Sequence, residues 1–85
     1  MDVSLDAYKI YYYVCEFKNL TKAANILYVT QPAITRQIKK LEESLGKTLV
    51  IRTTKGIELT NEGQLLYNEI KAPMERILHA ENTFK

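Results

Sequence analysis

A helix that carries its own start and stop signals constrains this chain more than any other feature. In Thr30 to Gly46, TQPAITRQIKKLEESLG, Thr30 can accept a hydrogen bond from a first-turn N–H. Pro32 falls in the same turn, where a missing N–H costs nothing. Ile34, Ile38, Leu41 and Leu45 follow at steps of four, three and four, so they form one narrow stripe that must be buried. Gly46 supplies a left-handed C-cap. On the other side lie Pro32, Thr35, Arg36 and Lys39, with only Glu43 against them near the far end. Hydroxyl, amide and guanidinium groups on the first two turns have the donors and acceptors to read base edges in a major groove. On its own the helix fits an ordinary solvated face equally well.

Its neighbours favour the first reading. Upstream, Leu20 and Thr21 are expected as the N′ and N-cap positions of a short helix with Ala23, Ala24 and Leu27 on its buried face. Two adjacent alanines allow a close helix crossing, and only Tyr28 and Val29 precede Thr30, which is a helix-turn-helix arrangement. Lys22 is placed either to reach a phosphate or as an ordinary surface lysine. Downstream, Leu49-Val50-Ile51 and Ile57-Glu58-Leu59 flank Arg52-Thr53-Thr54-Lys55-Gly56, which predicts a small hairpin, a wing. Arg52 and Lys55, with Thr54 at the turn, suit a phosphate or the minor groove, though a loop touching nothing has the same composition. From Gln31 to Gly56 there are six basic residues and two acidic, a net of +4, which leaves the rest of this +2 chain at −2. Charge gathered on the suspected DNA-reading segment is an electrostatic footprint, although a solvated charged face carries the same signature.

The first helix, capped by Ser4 or Asp2, has one stripe of Leu5, Tyr8, Tyr12 and Cys15, with Tyr11 beside it, expected to face the core. A second apolar stripe, Ile10, Tyr13, Val14 and Phe17, exceeds what so small a domain covers. Thr60 caps a last helix whose apolar positions are Leu66, Ile70, Met74, Ile77 and Leu78. About 25 residues would extend it close to 40 Å, so it too needs a partner. A two-fold dimer through Ile10, Tyr13, Val14, Phe17, Leu66, Ile70, Met74 and Ile77 answers both excesses. Pro73 predicts a kink in the last helix.

Several function classes fall away. At 85 residues and 46% hydrophobic, one small globular domain is expected, with no apolar run near the roughly 18 residues of a membrane span. The N-terminus has no signal-peptide pattern and the lone Cys15 cannot form an internal disulfide, so a reducing cytoplasm is expected. His79 is the only histidine, has no cysteine at ligand spacing, and is expected at the surface. There is no glycine-rich phosphate loop, so neither an enzyme nor a metal or cofactor is expected. The expected fold is mainly α: a winged helix-turn-helix of three helices plus a two-stranded wing in residues 1–59, then a long C-terminal linker helix from 60 to 85. The competing reading is a winged-helix protein–protein interaction module that does not bind DNA. The cation-bearing face of Arg36 and Lys39 opposite the core counts against it.

LTKAANILYVTQPAITRQIKKLEESLG, from Leu20 to Gly46, and TLVIRTTKGIELTNEG, from Thr48 to Gly63, closely resemble the N-terminal DNA-binding domain of LysR-type transcriptional regulators. The resemblance covers nearly the whole chain. It implies a winged helix-turn-helix, a linker helix that pairs two subunits, and a separate C-terminal domain, absent from this sequence, through which a small-molecule effector acts. By residue match, Gln31, Pro32, Thr35 and Arg36 contact bases and adjoining backbone, and Lys39 a phosphate. Lys55 matches a basic position that enters the minor groove, and Arg52 an arginine at the wing base. The implied partners are double-stranded DNA, as a pseudo-palindromic operator often written T-N11-A, and a second copy of the chain. Leu49-Val50 replaces the family's usual Leu-Phe, Thr53-Thr54 makes the wing less basic, and Pro73 is unusual in the linker helix.

Overall fold

The computed structural model describes residues 4–85. In chain order they form α1 (Leu5–Phe17), α2 (Leu20–Leu27), α3 (Gln31–Leu45), β1 (Val50–Thr53), β2 (Gly56–Leu59) and α4 (Asn61–Asn82). Helix ends follow local chemistry. Thr30 Oγ1 accepts from the Ala33 N–H at 3.2 Å, Gly46 closes α3 at φ 67°, and Thr60 Oγ1 accepts from the Gly63 N–H at 3.0 Å at the head of α4. The start of α2 differs from expectation. Its cap is Asn19, whose side chain accepts from the Lys22 N–H at 2.9 Å, two residues before Thr21 would have served. Ser4 is the N-cap of α1 but makes no side-chain cap bond. Asp2, the alternative cap, lies outside the described residues.

Helix α1 is the hub: α2, α3, α4 and β2 all pack against it. Tyr11, Val14 and Cys15 of α1 join Ala23, Ala24, Ile34, Ile38, Leu41, Leu49 and Ile57 in one core. Tyr11, Tyr12 and Cys15 are buried as the sequence predicts, and two other residues of α1 depart from it. Leu5, expected inside, is 65% exposed, whereas Val14, expected at a dimer surface, is fully buried. A helix apolar on most of its circumference gives no periodic signal for which side faces in, and Ala7, Tyr11 and Val14 took that side. Met74, also assigned to the dimer surface, is buried at 4% exposure, and Leu45, assigned to the buried stripe of α3, is 37% exposed at the helix end.

Strands β1 and β2 pair antiparallel from Val50↔Leu59 to Thr53↔Gly56 around a Thr54-Lys55 turn. Thr53 Oγ1 braces the turn, donating to the Gly56 carbonyl and accepting from the Lys55 N–H, both at 3.2 Å. The root of the hairpin is fixed twice. Ile57 N–H donates to the Lys18 carbonyl at 3.0 Å. Across the gap, Glu42 Oε2 of α3 accepts from the N–H groups of Leu49 at 2.7 Å and Val50 at 3.3 Å. Gly56, at φ 128°, passes so close to Lys18 that a Cβ would stand 2.6 Å from its carbonyl oxygen.

Helix α4 runs through Pro73 as one element of 22 residues, about 33 Å at 1.5 Å per residue. Its first turn is clamped to the core: the buried Tyr11 hydroxyl donates to the Gly63 carbonyl at 2.6 Å. Farther along, Tyr67 donates to Glu16 of α1, Lys71 pairs with Glu16 at 3.6 Å and Glu75 at 3.3 Å, and Lys9 pairs with Glu81 at 3.5 Å. The hydrogen bond to Glu16 is the main reason the Tyr67 hydroxyl holds its proton above the ordinary phenol range. No helix is long and apolar enough to cross a membrane among the described residues.

Candidate nucleic-acid interface

The buried stripe of α3 fixes what its other face presents. With Ile34, Ile38 and Leu41 turned into the core, Gln31, Pro32, Arg36 and Lys39 are exposed and Thr35 is half-buried between them and the wing. Arg52 extends from β1 toward α3, and its guanidinium Nη2 donates to Thr35 Oγ1 at 2.9 Å. Gln31, Pro32, Thr35, Arg36, Lys39 and Arg52 line one open hollow of about 550 Å³. Three cations and no carboxylate border it. All three salt bridges among the described residues lie on the α1–α4 side, so Arg36, Lys39 and Arg52 keep their charge free of acidic partners.

The geometry brings together more of the sequence-selected residues than it separates. Arg52, read from the sequence as a wing cation, shares the α3 hollow as well as the wing. Thr54 and Lys55 sit at the hairpin turn, exposed, beside a second hollow of about 330 Å³ that the wing forms with the cap residue Asn19 and with Leu20 and Thr21 of α2. Lys22 is exposed on the first turn of α2 and lines neither hollow. Thr21, expected only as a helix cap, and Glu42, not singled out from the sequence, both support this face. Thr21 Oγ1 accepts from Gln31 Nε2 at 2.8 Å and so restrains the first side chain of the reading face. Glu42 holds the wing root against α3. Neither pairing, ten and seven residues apart, leaves a periodic trace in the sequence.

The proposed dimer surface is only partly available. With Val14 and Met74 interior, Phe17 and Ile77 are each 38% exposed, while Ile10, Tyr13, Leu66 and Ile70 are half-buried and also pack on the core. Tyr13 stacks on Phe17 with ring centroids 6.3 Å apart. Leu65, at 66% exposure, lies on the open side of α4 and was not anticipated. His79 is exposed, as expected. Cys15 is the small buried hydrophobe expected of it, and burial pushes its thiol up to about 11.

Proteins of known kind share this arrangement. The regulator BlaA of Proteus vulgaris is 42% identical over 67 residues, covering 79% of this chain and 22% of BlaA. The structure described as the BenM_DBD/catB site 1 DNA complex superposes with a TM-score of 0.82 at 30% identity, covering 95% of this chain and 91% of that one. Full-length AphB of Vibrio cholerae gives a TM-score of 0.89 at 26% identity, covering 95% of this chain and 28% of AphB. The chain thus spans less than a quarter of the length of the curated relative BlaA. The family profile described as "Bacterial regulatory helix-turn-helix protein, lysR family" matches residues 5–64. On that match, and on a winged helix-turn-helix whose reading face stands clear of the core, the chain belongs to the lysR family of bacterial regulatory helix-turn-helix proteins.

Proposed function

We propose that this chain is the sequence-specific DNA-binding domain of a LysR-type transcriptional regulator, that it acts as a homodimer on a pseudo-palindromic operator, and that residues 60–85 begin the linker helix joining the two copies. One observation carries the reading: the open hollow at the head of α3, lined by Gln31, Pro32 and Thr35, is bordered by Arg36, Lys39 and Arg52 and by no acid, Glu42 lying in the narrower cleft toward the wing root. An α3 helix seated in the major groove presents Gln31, Thr35 and Arg36 to base edges, Pro32 to thymine methyl groups or sugar, and Lys39 to a phosphate. The wing turn, with Thr54 and Lys55, follows the backbone into the adjacent minor groove, and Lys22 meets a phosphate from α2. A protein-interaction module has no use for unpaired cations at this place, and the DNA-bound relative supports the DNA reading over that one. Dimerisation uses Phe17, Ile77 and the exposed edges of Ile10, Tyr13, Leu66 and Ile70. The domain works by binding rather than catalysis, in the bacterial cytoplasm where the DNA lies. Any small-molecule effector acts through the part of the regulator outside this sequence.

The test is fluorescence anisotropy of the 85-residue chain against a random duplex and a set of T-N11-A duplexes across a salt series, with Arg36→Ala alongside. The expected result is binding that weakens steeply with salt, prefers some duplexes, and loses that preference in the variant. A folded chain that binds no duplex even at low salt refutes the assignment.

A further inference from the structure

We infer that Arg52 is a positioning residue that sets the hydrogen-bond sense of Thr35, so that Thr35 reads the base pair in front of it as a donor. The inference rests on the DNA-reading assignment above and adds to it a rule for one base pair. A threonine hydroxyl is ambiguous by itself, since it offers one proton and two lone pairs and turns to suit either kind of partner. Here one lone pair is taken: Arg52 Nη2 donates to Thr35 Oγ1 at 2.9 Å. A guanidinium cannot lose its proton or reverse the bond, so the sense of this contact is fixed.

Three features of the surroundings hold the arrangement in place. Arg52 stands on β1 opposite Ile57, and Ile57 is tied through its N–H to the Lys18 carbonyl at 3.0 Å, so the strand under Arg52 does not drift. Glu42 Oε2 fixes the other end of that strand to α3 itself, through Leu49 and Val50. No carboxylate competes for the guanidinium among the described salt bridges. The Thr35 hydroxyl proton donates to no protein acceptor among the described residues. It is therefore free for a base. Bonding to a cation also polarises the hydroxyl, strengthening it as a donor and weakening its remaining lone pair as an acceptor. Arg52 also lines the hollow, and its guanidinium offers donors and no acceptor.

A hydroxyl committed to donating selects an acceptor edge. In the major groove this means guanine O6 and N7, thymine O4 or adenine N7, and it disfavours cytosine, which presents only its amino group there. The base pair opposite Thr35 is accordingly chosen by a residue on the wing, 17 positions away in sequence.

The experiment selects and sequences the bound fraction of a duplex pool randomised across the site, using the 85-residue chain and its Arg52→Ala, Thr35→Val, Thr35→Ser and Arg52→Ala/Thr35→Val variants, each checked for folding by circular dichroism. The wild type is expected to select against cytosine at one position per half-site. Arg52→Ala should reduce that preference about fivefold to tenfold while leaving other positions unchanged. Thr35→Val should lose the same preference, Thr35→Ser should keep it, and the double variant should match Thr35→Val. Uniform weakening on every sequence by Arg52→Ala, with a shallower salt dependence, makes Arg52 a phosphate contact and overturns the inference. A further change in base preference when Arg52→Ala is added to Thr35→Val overturns it too. If Arg52→Ala does not fold, Thr35→Val decides alone, and an unchanged preference refutes the idea. A wild-type chain with no sequence preference at all refutes the DNA-reading assignment itself, which is a separate outcome.

Discussion

Replacing Gly63 with alanine tests the closest approach in the fold. A Cβ at this position would stand 2.0 Å from the Leu49 carbonyl oxygen and 2.9 Å from the Tyr11 hydroxyl, where contacts below 3.0 Å are essentially not found. Opening the Leu49 contact to that limit requires a shift of about 1 Å, which stretches the 2.6 Å bond from Tyr11 to the Gly63 carbonyl beyond hydrogen-bond range. Overpacking costs about 2 kcal/mol. The buried Tyr11 hydroxyl left without a partner costs about 2 kcal/mol more. Alanine's better helix propensity returns about 1 kcal/mol. The net loss of about 3 kcal/mol corresponds to a melting temperature lower by about 12–24 °C in a domain of this size. Gly46→Ala is the control: nothing lies within 4 Å of its Cβ, so only the left-handed φ of 67° is penalised, about 1 kcal/mol or 4–8 °C. Thermal melts followed by circular dichroism compare the two. If Gly63→Ala melts no lower than Gly46→Ala, the seating of α4 on Leu49 and Tyr11 is not what this glycine provides.

Four other outcomes are expected. Arg36→Ala should cost about 1–3 kcal/mol on preferred duplexes and relax their selection, while Lys55→Ala weakens all duplexes evenly; equal and unselective losses in anisotropy would contradict these roles. Glu42→Ala should lower stability by about 2 kcal/mol in urea unfolding, since it leaves the Leu49 and Val50 N–H groups without their carboxylate, and an unchanged midpoint would refute this. Burial raises the Cys15 thiol from 9.0 to about 11 and pushes the Tyr11 phenol above its ordinary 10.0. Both groups hold protons more tightly when folded: the Cys15 contribution is complete below about pH 9 and lost as pH rises through about 11, and that of Tyr11 begins to fall above pH 10; a melting temperature that does not fall between pH 9 and 11 argues against it. Ile77→Glu should yield folded monomer in sedimentation, whereas Met74→Glu, placing a charge in the interior, should lower the melting temperature; a dimer unaffected by Ile77→Glu would remove Ile77 from the interface.

Local grammar made much of this fold legible before any coordinates. Thr30, Gly46 and Thr60 each cap the helix end assigned to them, and the spacing of Ile34, Ile38 and Leu41 turned the face with Gln31, Arg36 and Lys39 outward. These features depend on contacts three or four residues apart, which sequence spacing records directly. The start of α2 differs from expectation because Asn19 and Thr21 both carry capping side chains; Asn19 caps the helix, and the Thr21 hydroxyl accepts from Gln31. Within α1, Tyr11, Tyr12 and Cys15 face the core as their spacing predicts, whereas Leu5 and Val14 do not follow it, for a different reason. With apolar residues on nearly every side, its inward face is chosen by what packs on it, and α3 and α4 chose the Tyr11–Val14 side. The clasp between Arg52 and Thr35 and the carboxylate bridge from Glu42 join separate elements through single side chains, and no repeating pattern announces such bonds.

Helix α3 keeps its two duties on separate residues, and this shapes how the protein can diverge. Ile34, Ile38 and Leu41 hold the fold, while Gln31, Pro32, Arg36 and Lys39 are exposed and absent from the core. Exposed substitutions away from caps and buried networks usually shift stability by no more than about 0.5 kcal/mol. A duplicated copy can therefore drift toward a new operator through a series of single changes, each still folded. Thr35 is the exception. Its bond to Arg52 makes the two positions one heritable unit, and among diverging descendants a change at either is expected to be followed by a change at the other.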